Sequence, residues 1–260
     1  MSPLVMGVLN VTPDSFSDAG RFLDREAAVA HGLAMARAGA DVVDVGGEST
    51  RPGADAVDEA EERRRVVPVV EALVDHVRVS IDTGKATVAE AAVAAGATLV
   101  NDVTASLHPV AAAAGVGWVA MHMQGDPRTM QRDPRYDDVV GEVRGFLVER
   151  AEAAIEAGVD EVWIDPGIGF GKTAQHNLSL LRRLSSIVAT GHPVVVGTSR
   201  KSFLGTLAGG APVDDRLEGS LATAVHAVGQ GARMVRVHDV EPTVQALRLT
   251  AASLPTEASR

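Results

Sequence analysis

Residues 193–205 read P-V-V-V-G-T-S-R-K-S-F-L-G, and the fold turns on how this stretch is understood. Three valines behind a proline have the length and composition of a short strand buried on both faces. The apolar run stops at Gly197. Two hydroxyls, two cations (Arg200 and Lys201) and a third hydroxyl at Ser202 follow, and then Phe203 and Leu204. Cations set against the end of a buried strand sit on a rigid scaffold, where they can meet an anion or an electron-rich ring.

The same pattern recurs along the chain. Short apolar runs ending in polar residues or glycine lie near 4–11, 41–47, 77–83, 98–104, 117–123, 161–166, 193–199 and 232–238. Alanine-rich segments of helical spacing separate them. In 214–229 Leu217, Leu221, Ala224, Val225 and Val228 make one apolar stripe, with Asp214 or Asp215 as N-cap. A helix over 176–188 buries Leu180, Leu181, Leu184 and Ile187. Eight strands alternating with helices over about 250 residues is the arithmetic of a single (β/α)8 TIM barrel. A doubly wound sheet would carry a glycine-rich turn after its first strand, and here that turn reads N-V-T-P-D-S-F. The crossover at 105–116 has room for only a couple of helical turns. The barrel is expected over 1–253, with 254–260 as a disordered C-terminal tail.

Composition excludes several classes. Aromatics are 3% of the 260 residues and the formal net charge is −10, which argues against stacking platforms or a broad basic face for nucleic acid, although a few cations can still converge on one cleft. There is no cysteine, which removes disulfides, zinc-thiolate sites and a thiol nucleophile. No apolar run approaches the ~20 residues of a membrane span. The first strand begins by about Leu4, which leaves no room for a signal peptide, and a cytoplasmic location is the default expectation. The eight histidines show no metal-ligand spacing.

At the C-terminal ends of barrel strands, polar residues read as catalytic. In chain order these are Asn10, Glu48 to Arg51, Asp82, Asn101 and Asp102, His122, Asp165, Ser199 to Ser202, and Arg236 with His238. Asp82, Asn101, Asp165 and Lys201 suit a flat, nitrogen-rich heterocycle. Arg51, Arg236 and His238 form a cationic cluster for a phosphate group. Asn10 and Asp14 offer oxygen ligands to Mg²⁺, which takes such ligands together with substrate phosphates. A heterocycle beside a diphosphate and a magnesium ion suggests substitution with diphosphate as leaving group. The run G-F-G-K-T at 169–173 is not a nucleotide P-loop, because Pro166 stands where the upstream glycine belongs, and Lys172 is expected to be a loop residue. Met121 and Met123 are candidates for pocket lining or core filling.

Several segments, long and specific, resemble the dihydropteroate synthases. They are N-V-T-P-D-S-F-S-D at 10–18, G-G-E-S-T-R-P-G at 46–53, N-D-V at 101–103 and M-H-M at 121–123, followed by D-P-G-I-G-F-G-K-T at 165–173, G-T-S-R-K-S-F-L at 197–204 and R-V-H-D at 236–239. The resemblance spans the chain. It implies a homodimeric, Mg²⁺-dependent barrel transferase of folate biosynthesis. Such an enzyme joins 4-aminobenzoate to 6-hydroxymethyl-7,8-dihydropterin diphosphate, giving 7,8-dihydropteroate and diphosphate. By motif it places the pterin on Asp82, Asn101, Met121, Asp165, Phe170, Gly197 and Lys201. The diphosphate and its metal fall to Asn10, Arg51, Arg236 and His238, with Asn10 as the metal ligand. Thr50, Arg51, Pro52, Lys201 and Ser202 shape the aminobenzoate subsite, and Asp18 belongs to the first loop. The implied catalytic set is Asp82, Lys201, Arg236, His238, Arg51 and Asp18. The implied reaction is dissociative: diphosphate departs and the dihydropterin cation is trapped by the arylamine.

Three departures from the family pattern stand out. The first loop reads D-A-G at 18–20 where a second glycine is usual. Gly84 stands where serine is common. The crossover A-S-L-H-P at 105–109 is short and lacks a glycine pair. Two other readings remain. A barrel passing a methyl group from a reduced folate to a corrinoid partner would share the pterin-holding groups but has no need of Arg51, Arg236 and His238. A catalytically silent pterin-binding paralogue would have lost part of N-V-T-P-D or S-T-R-P, and both are intact.

Overall fold

The structure, a computed structural model, describes residues 2–12, 21–49 and 56–253. The expectations for Asp14, Asp18, Ala19, Gly20, Thr50, Arg51, Pro52 and the 254–260 tail lie outside these residues. In chain order the elements are β1 (Leu4–Asn10), α1 (Arg21–Arg37), β2 (Val42–Gly46), α2 (Glu59–Leu73), β3 (Arg78–Thr83), α3 (Ala86–Ala94), β4 (Leu99–Asp102), α4 (His108–Ala114) and β5 (Gly117–Met121). They continue with α5 (Val139–Glu156), β6 (Val162–Asp165), α6 (Ala174–Arg182), α7 (Leu184–Val188), β7 (Val195–Val196), α8 (Ser202–Leu207), α9 (Leu217–Gly229), β8 (Met234–Val237) and α10 (Val240–Ser253).

The strands form one eight-stranded sheet in the order β6-β5-β4-β3-β2-β1-β8-β7, with every paired neighbour parallel. A single parallel bridge between Ile164 and Val194 brings β6 back to the β7 end, and Ile164 N–H donates to Pro193 O at 3.1 Å. The sheet therefore closes into a (β/α)8 TIM barrel whose thinnest seam is beside the two-residue β7. Parallel neighbours need a crossover, and the helices between strands supply it on the outer face.

Side chains alternate across a strand, so each strand feeds two cores. Met6, Val42, Leu99, Val119, Trp163, Val195 and Met234 point inward and pack into an apolar plug. Their neighbours Val5, Val43, Val100, Trp118, Ile164, Val194 and Val235 belong to the larger core between sheet and helices. Two residues beyond each plug position, the chain again faces inward and lies one layer nearer the strands' C-terminal ends. Those positions are Val8, Asp44, Asn101, Met121, Asp165, Gly197 and Arg236. Strand periodicity alone thus lays a polar layer on an apolar one. Among the described residues, no helix is long and apolar enough to cross a membrane.

Two helix expectations are corrected. The 176–188 helix is two pieces: α6, capped by a Thr173–His176 capping box, and α7, with a break at Arg183. The 214–229 helix begins at Leu217, and neither Asp214 nor Asp215 caps it. The reason is Arg216, which donates to Ala211 O and Arg200 O, both at 3.0 Å, and so holds the preceding segment out of helical register.

The short fourth crossover is organised by Asp102. Its buried carboxylate accepts from Thr104 N (2.8 Å), Thr104 Oγ1 (2.6 Å), Ser106 N (2.6 Å), Leu107 N (2.5 Å) and Trp118 Nε1 (3.1 Å). It is a scaffold residue rather than a site residue. Ala105 turns through the left-handed region at φ 51°, and α4 follows with seven residues. Two departures from the family pattern meet here, because a Cβ at Gly84 would lie 2.7 Å from Thr104 Cγ2. Replacing Asp102 by Asn sets an NH2 group against a ring of donors in a dry site, at a cost of ~3 kcal/mol or more. Urea denaturation of Asp102→Asn is expected to show that loss, and a midpoint equal to wild type would contradict the account.

Candidate active site

The inward polar layer is held together by Arg236. Its Nε donates to Asp44 Oδ2 and its Nη2 to Asp82 Oδ2, both at 2.6 Å, and Asn101 Nδ2 donates to the same Asp44 oxygen at 2.8 Å. The guanidinium therefore spans β2 and β3 from β8. Burial works against its charge, but Asp44 and Asp82 outweigh that and raise its pKa above the ordinary arginine value. Asp44 is fully buried and central to this array, yet reading strand ends misses it. The signal was in the alternation of V-V-D-V-G, where Asp44 faces the same way as Val42.

Above this array lies a cavity of about 330 Å³, counted out to its open mouth. Its polar lining is Asp82, Asn101, Asp165, Lys201 and Arg236, and its apolar walls are Val103, Met121, Ile168 and Phe170, with Gly167 and Gly197 completing it. All seven residues expected to meet a pterin therefore line one cavity. Met123 packs behind Met121 and Phe170. Asp82 Oδ1 is buried without a hydrogen-bond partner among the described residues, an acceptor left for a ligand N–H.

Burial drives the charges here. It pushes the Asp82 carboxyl up to about 7, with Arg236 opposing and Asp44 and Glu62 adding to the rise. Burial raises Asp165 as well, against the Gly167 N–H, which donates to Oδ1 at 2.7 Å, and against Lys201, Arg236 and Lys172. The Lys201 ammonium falls to about 8 through burial and the Arg236 charge. It stands 3.8 Å from the Phe170 ring centroid, a cation–π contact.

The expected pair Arg200 and Lys201 is split. Lys201 enters the cavity, while Arg200, at φ 57°, turns to Asp239 and bonds both its oxygens at 3.0 and 2.5 Å. His238 departs from the cationic cluster expected for it. Burial and the charges of Arg236, Arg200 and Lys201 lower its pKa to about 3, so the imidazole is neutral, with Nδ1 3.1 Å from Ser199 Oγ. Asn10, half-buried at the end of β1, and Ser202, exposed at the start of α8, do not line the cavity. Glu48 is engaged with Lys85, whose ammonium also meets Glu62 (2.5 Å) and Val57 O (2.7 Å).

Lys172 is more than a loop residue. It is 2% exposed, and its ammonium contacts the end of β5 and the loop after β6. His122 is turned to Lys172 and to the Phe146 edge rather than into the cavity. The glycines of D-P-G-I-G-F-G-K-T make this closeness possible. A Cβ on Gly167 (φ +62°) would fall 1.8 Å from His122 O, and one on Gly171 (φ +59°) 2.3 Å from Gln124 O.

Among the described residues, no group of three or more His, Cys, Asp or Glu could hold a metal ion. The donor set that includes the Asn10 carboxamide fits Mg²⁺ only where a substrate brings most of the oxygen ligands, as diphosphate does.

The pterin binding enzyme family model matches residues 6–238. The dihydropteroate synthase of Escherichia coli K12 is 46% identical over 266 residues, covering 99% of this chain and 94% of that protein. That of Mycobacterium leprae is 49% identical over 265 residues, covering 96% and 93%. The structure of the Xanthomonas albilineans synthase with 4-aminobenzoic acid superimposes with a TM-score of 0.91 at 49% identity, covering 98% of this chain and 94% of that one. The same organism's synthase in complex with 7,8-dihydropteroate gives 0.88 at 46% identity, covering 98% and 95%.

The two buried histidines yield a direct expectation. His122 and His238 have folded pKa values of about 3, below the ordinary 6.5. Their contribution to stability is full above pH 6.5 and is lost as pH falls toward 3, because the unfolded chain takes up the protons first. Imidazole NMR of the free enzyme between pH 5 and 8 is expected to show neither ring titrating. A His238 midpoint near 6.5 would mean that it is a cation-forming group after all.

Proposed function

The chain belongs to the pterin binding enzyme family and, within it, to the dihydropteroate synthases, and from that premise we propose how the residues of its barrel mouth divide the reaction. The enzyme is a transferase of folate biosynthesis, condensing 6-hydroxymethyl-7,8-dihydropterin diphosphate with 4-aminobenzoate to give 7,8-dihydropteroate and diphosphate. The observation that carries the assignment is the cavity that gathers Asp82, Asn101, Asp165 and Lys201 between apolar walls.

In our reading the pterin lies flat in this cavity. Asp165 and Asp82 accept from its N–H groups, Asn101 bonds its edge, and Met121 and Phe170 cover its faces. The C–O bond to diphosphate breaks with the electron pair leaving on oxygen. The arylamine lone pair then forms the C–N bond, and the nitrogen loses a proton. Buried carboxylates face the carbon where positive charge develops, which is electrostatic stabilisation in a site with little water. Arg236, Arg51 and His238 face the departing anion. Mg²⁺ would be held by Asn10 and the diphosphate oxygens, where it would neutralise leaving-group charge. By family pattern Thr50, Pro52, Lys201 and Ser202 are assigned to the aminobenzoate, and Asp18 to the first loop. The assembly is proposed to be a cytoplasmic homodimer. A solution mass of one chain would count against the dimer.

Diphosphate release that requires both substrates tests the activity, and release unchanged in excess EDTA would remove the metal. Asp165→Asn turns one acceptor into a donor against the pterin's N–H edge, a mismatch of ~1–3 kcal/mol. Calorimetry is expected to show pterin binding about tenfold weaker with the fold intact, and wild-type affinity would take Asp165 out of the site. His238 supplies a further expectation. A diphosphate beside a neutral imidazole raises its pKa, so binding at pH 6 takes up protons that His238→Gln does not. Calorimetry in buffers of different ionisation heat measures the difference, and equal uptake by both proteins would overturn it.

A further inference from the structure

Lysine is rare in this chain. Of 24 basic residues three are lysines, at 85, 172 and 201, and every other one is arginine. Each of the three follows the end of a strand on the catalytic face: Lys85 after β3, Lys172 after β6 and Lys201 after β7. Lys201 lines the cavity and Lys85 joins Glu48, Glu62 and Val57 O. Where arginine meets every other need for a cation, lysine remains where a compact ammonium fits and a planar guanidinium does not.

Lys172 is the one whose surroundings the reaction does not explain. It is absent from the cavity lining, yet its Nζ lies 2.9 Å from Phe170 O, 3.0 Å from Gly167 O, 3.2 Å from His122 O and 3.0 Å from His122 Nδ1. Acceptors on all sides suit the protonated amine. Two of the carbonyls belong to residues that line the cavity, and the third belongs to His122, the residue that follows β5. Phe170, held through its carbonyl, presents its ring to the Lys201 ammonium. The charged neighbours are Asp165 and Lys201. Burial lowers the Lys172 pKa to about 7, Lys201 adds to the fall and Asp165 opposes it.

We propose that Lys172 is a positioning residue of the synthase: by tying Gly167 and Phe170 to the segment that follows β5 it sets the wall against which the pterin lies. The inference rests on reading the cavity as the pterin site. It gives a buried lysine outside the cavity a specific substrate to answer to, namely the pterin and not the arylamine.

The test compares Lys172→Met, Phe170→Ala and the double variant by pterin calorimetry and steady-state kinetics. Lys172→Met is expected to raise both the pterin Kd and the KM for the pterin diphosphate about tenfold, with the KM for 4-aminobenzoate within about twofold. In the Phe170→Ala background the same substitution is expected to add less than about threefold, because the two act in series. Lys172→Arg is expected not to restore affinity. If Lys172→Met does not fold, Lys172→Gln, which keeps two N–H donors, carries the same comparison. Wild-type pterin affinity in the lysine variants, losses that multiply in full with Phe170→Ala, or an equal rise in both KM values would each overturn the proposal. Unchanged pterin affinity in both Phe170→Ala and Asp165→Asn would instead overturn the cavity reading, and the inference with it.

Discussion

The constraint on which the rest depends is the charge balance of the barrel interior. Arg236 and Lys201 face Asp44, Asp82 and Asp165 in a space largely closed to water. Ionised groups taken out of water persist only when paired and hydrogen-bonded. Burial raises the pKa values of Asp82 and Asp165 against the pull of the cations, and Asp82 Oδ1 is left without a donor among the described residues. A ring edge rich in N–H groups supplies what the protein withholds. In the proposed mechanism affinity and charge stabilisation then share an origin, since the Asp82 oxygen without a donor among the described residues belongs to a carboxylate assigned to the developing cation.

The layering explains why the fold was so legible and the site only partly so. Eight apolar runs, each stopping at a polar residue, dictate eight strands whatever the helix details, and the barrel followed from their number and spacing. Residues at strand ends, such as Asp82, Asn101 and Asp165, announce themselves by stopping an apolar run. Asp44 does not, because it lies within one, and only its inward phase marks it. Lys172 was masked by the opposite effect. It sits among glycines in a segment that reads as loop, and nothing local says that the glycines bring two backbones close enough to enclose an ammonium. The start of α9 was misread because a long-range contact of Arg216 overrides the local capping preference of Asp214 and Asp215. His238 was grouped with Arg51 and Arg236 as a cation, but burial, with three neighbouring cations adding to it, favours the neutral ring.

The catalytic face is thus assembled from backbone contacts as much as from side chains. Gly167 and Gly171 admit carbonyls where any Cβ would collide, and Asp102 gathers the fourth crossover onto one carboxylate. Such arrangements bring backbone close to the cavity wall without adding bulk to it.

The distribution of lysine has a practical side. On most proteins amine-reactive reagents decorate the exterior, and coupling to a dye, a bead or a cross-linker is nearly harmless. This chain offers such reagents its terminal amine and three side chains, and those three all stand on the face where the chemistry happens. An acylating reagent that reaches Lys201 alters the cavity lining itself, so labelling of this chain reads out access to the barrel mouth.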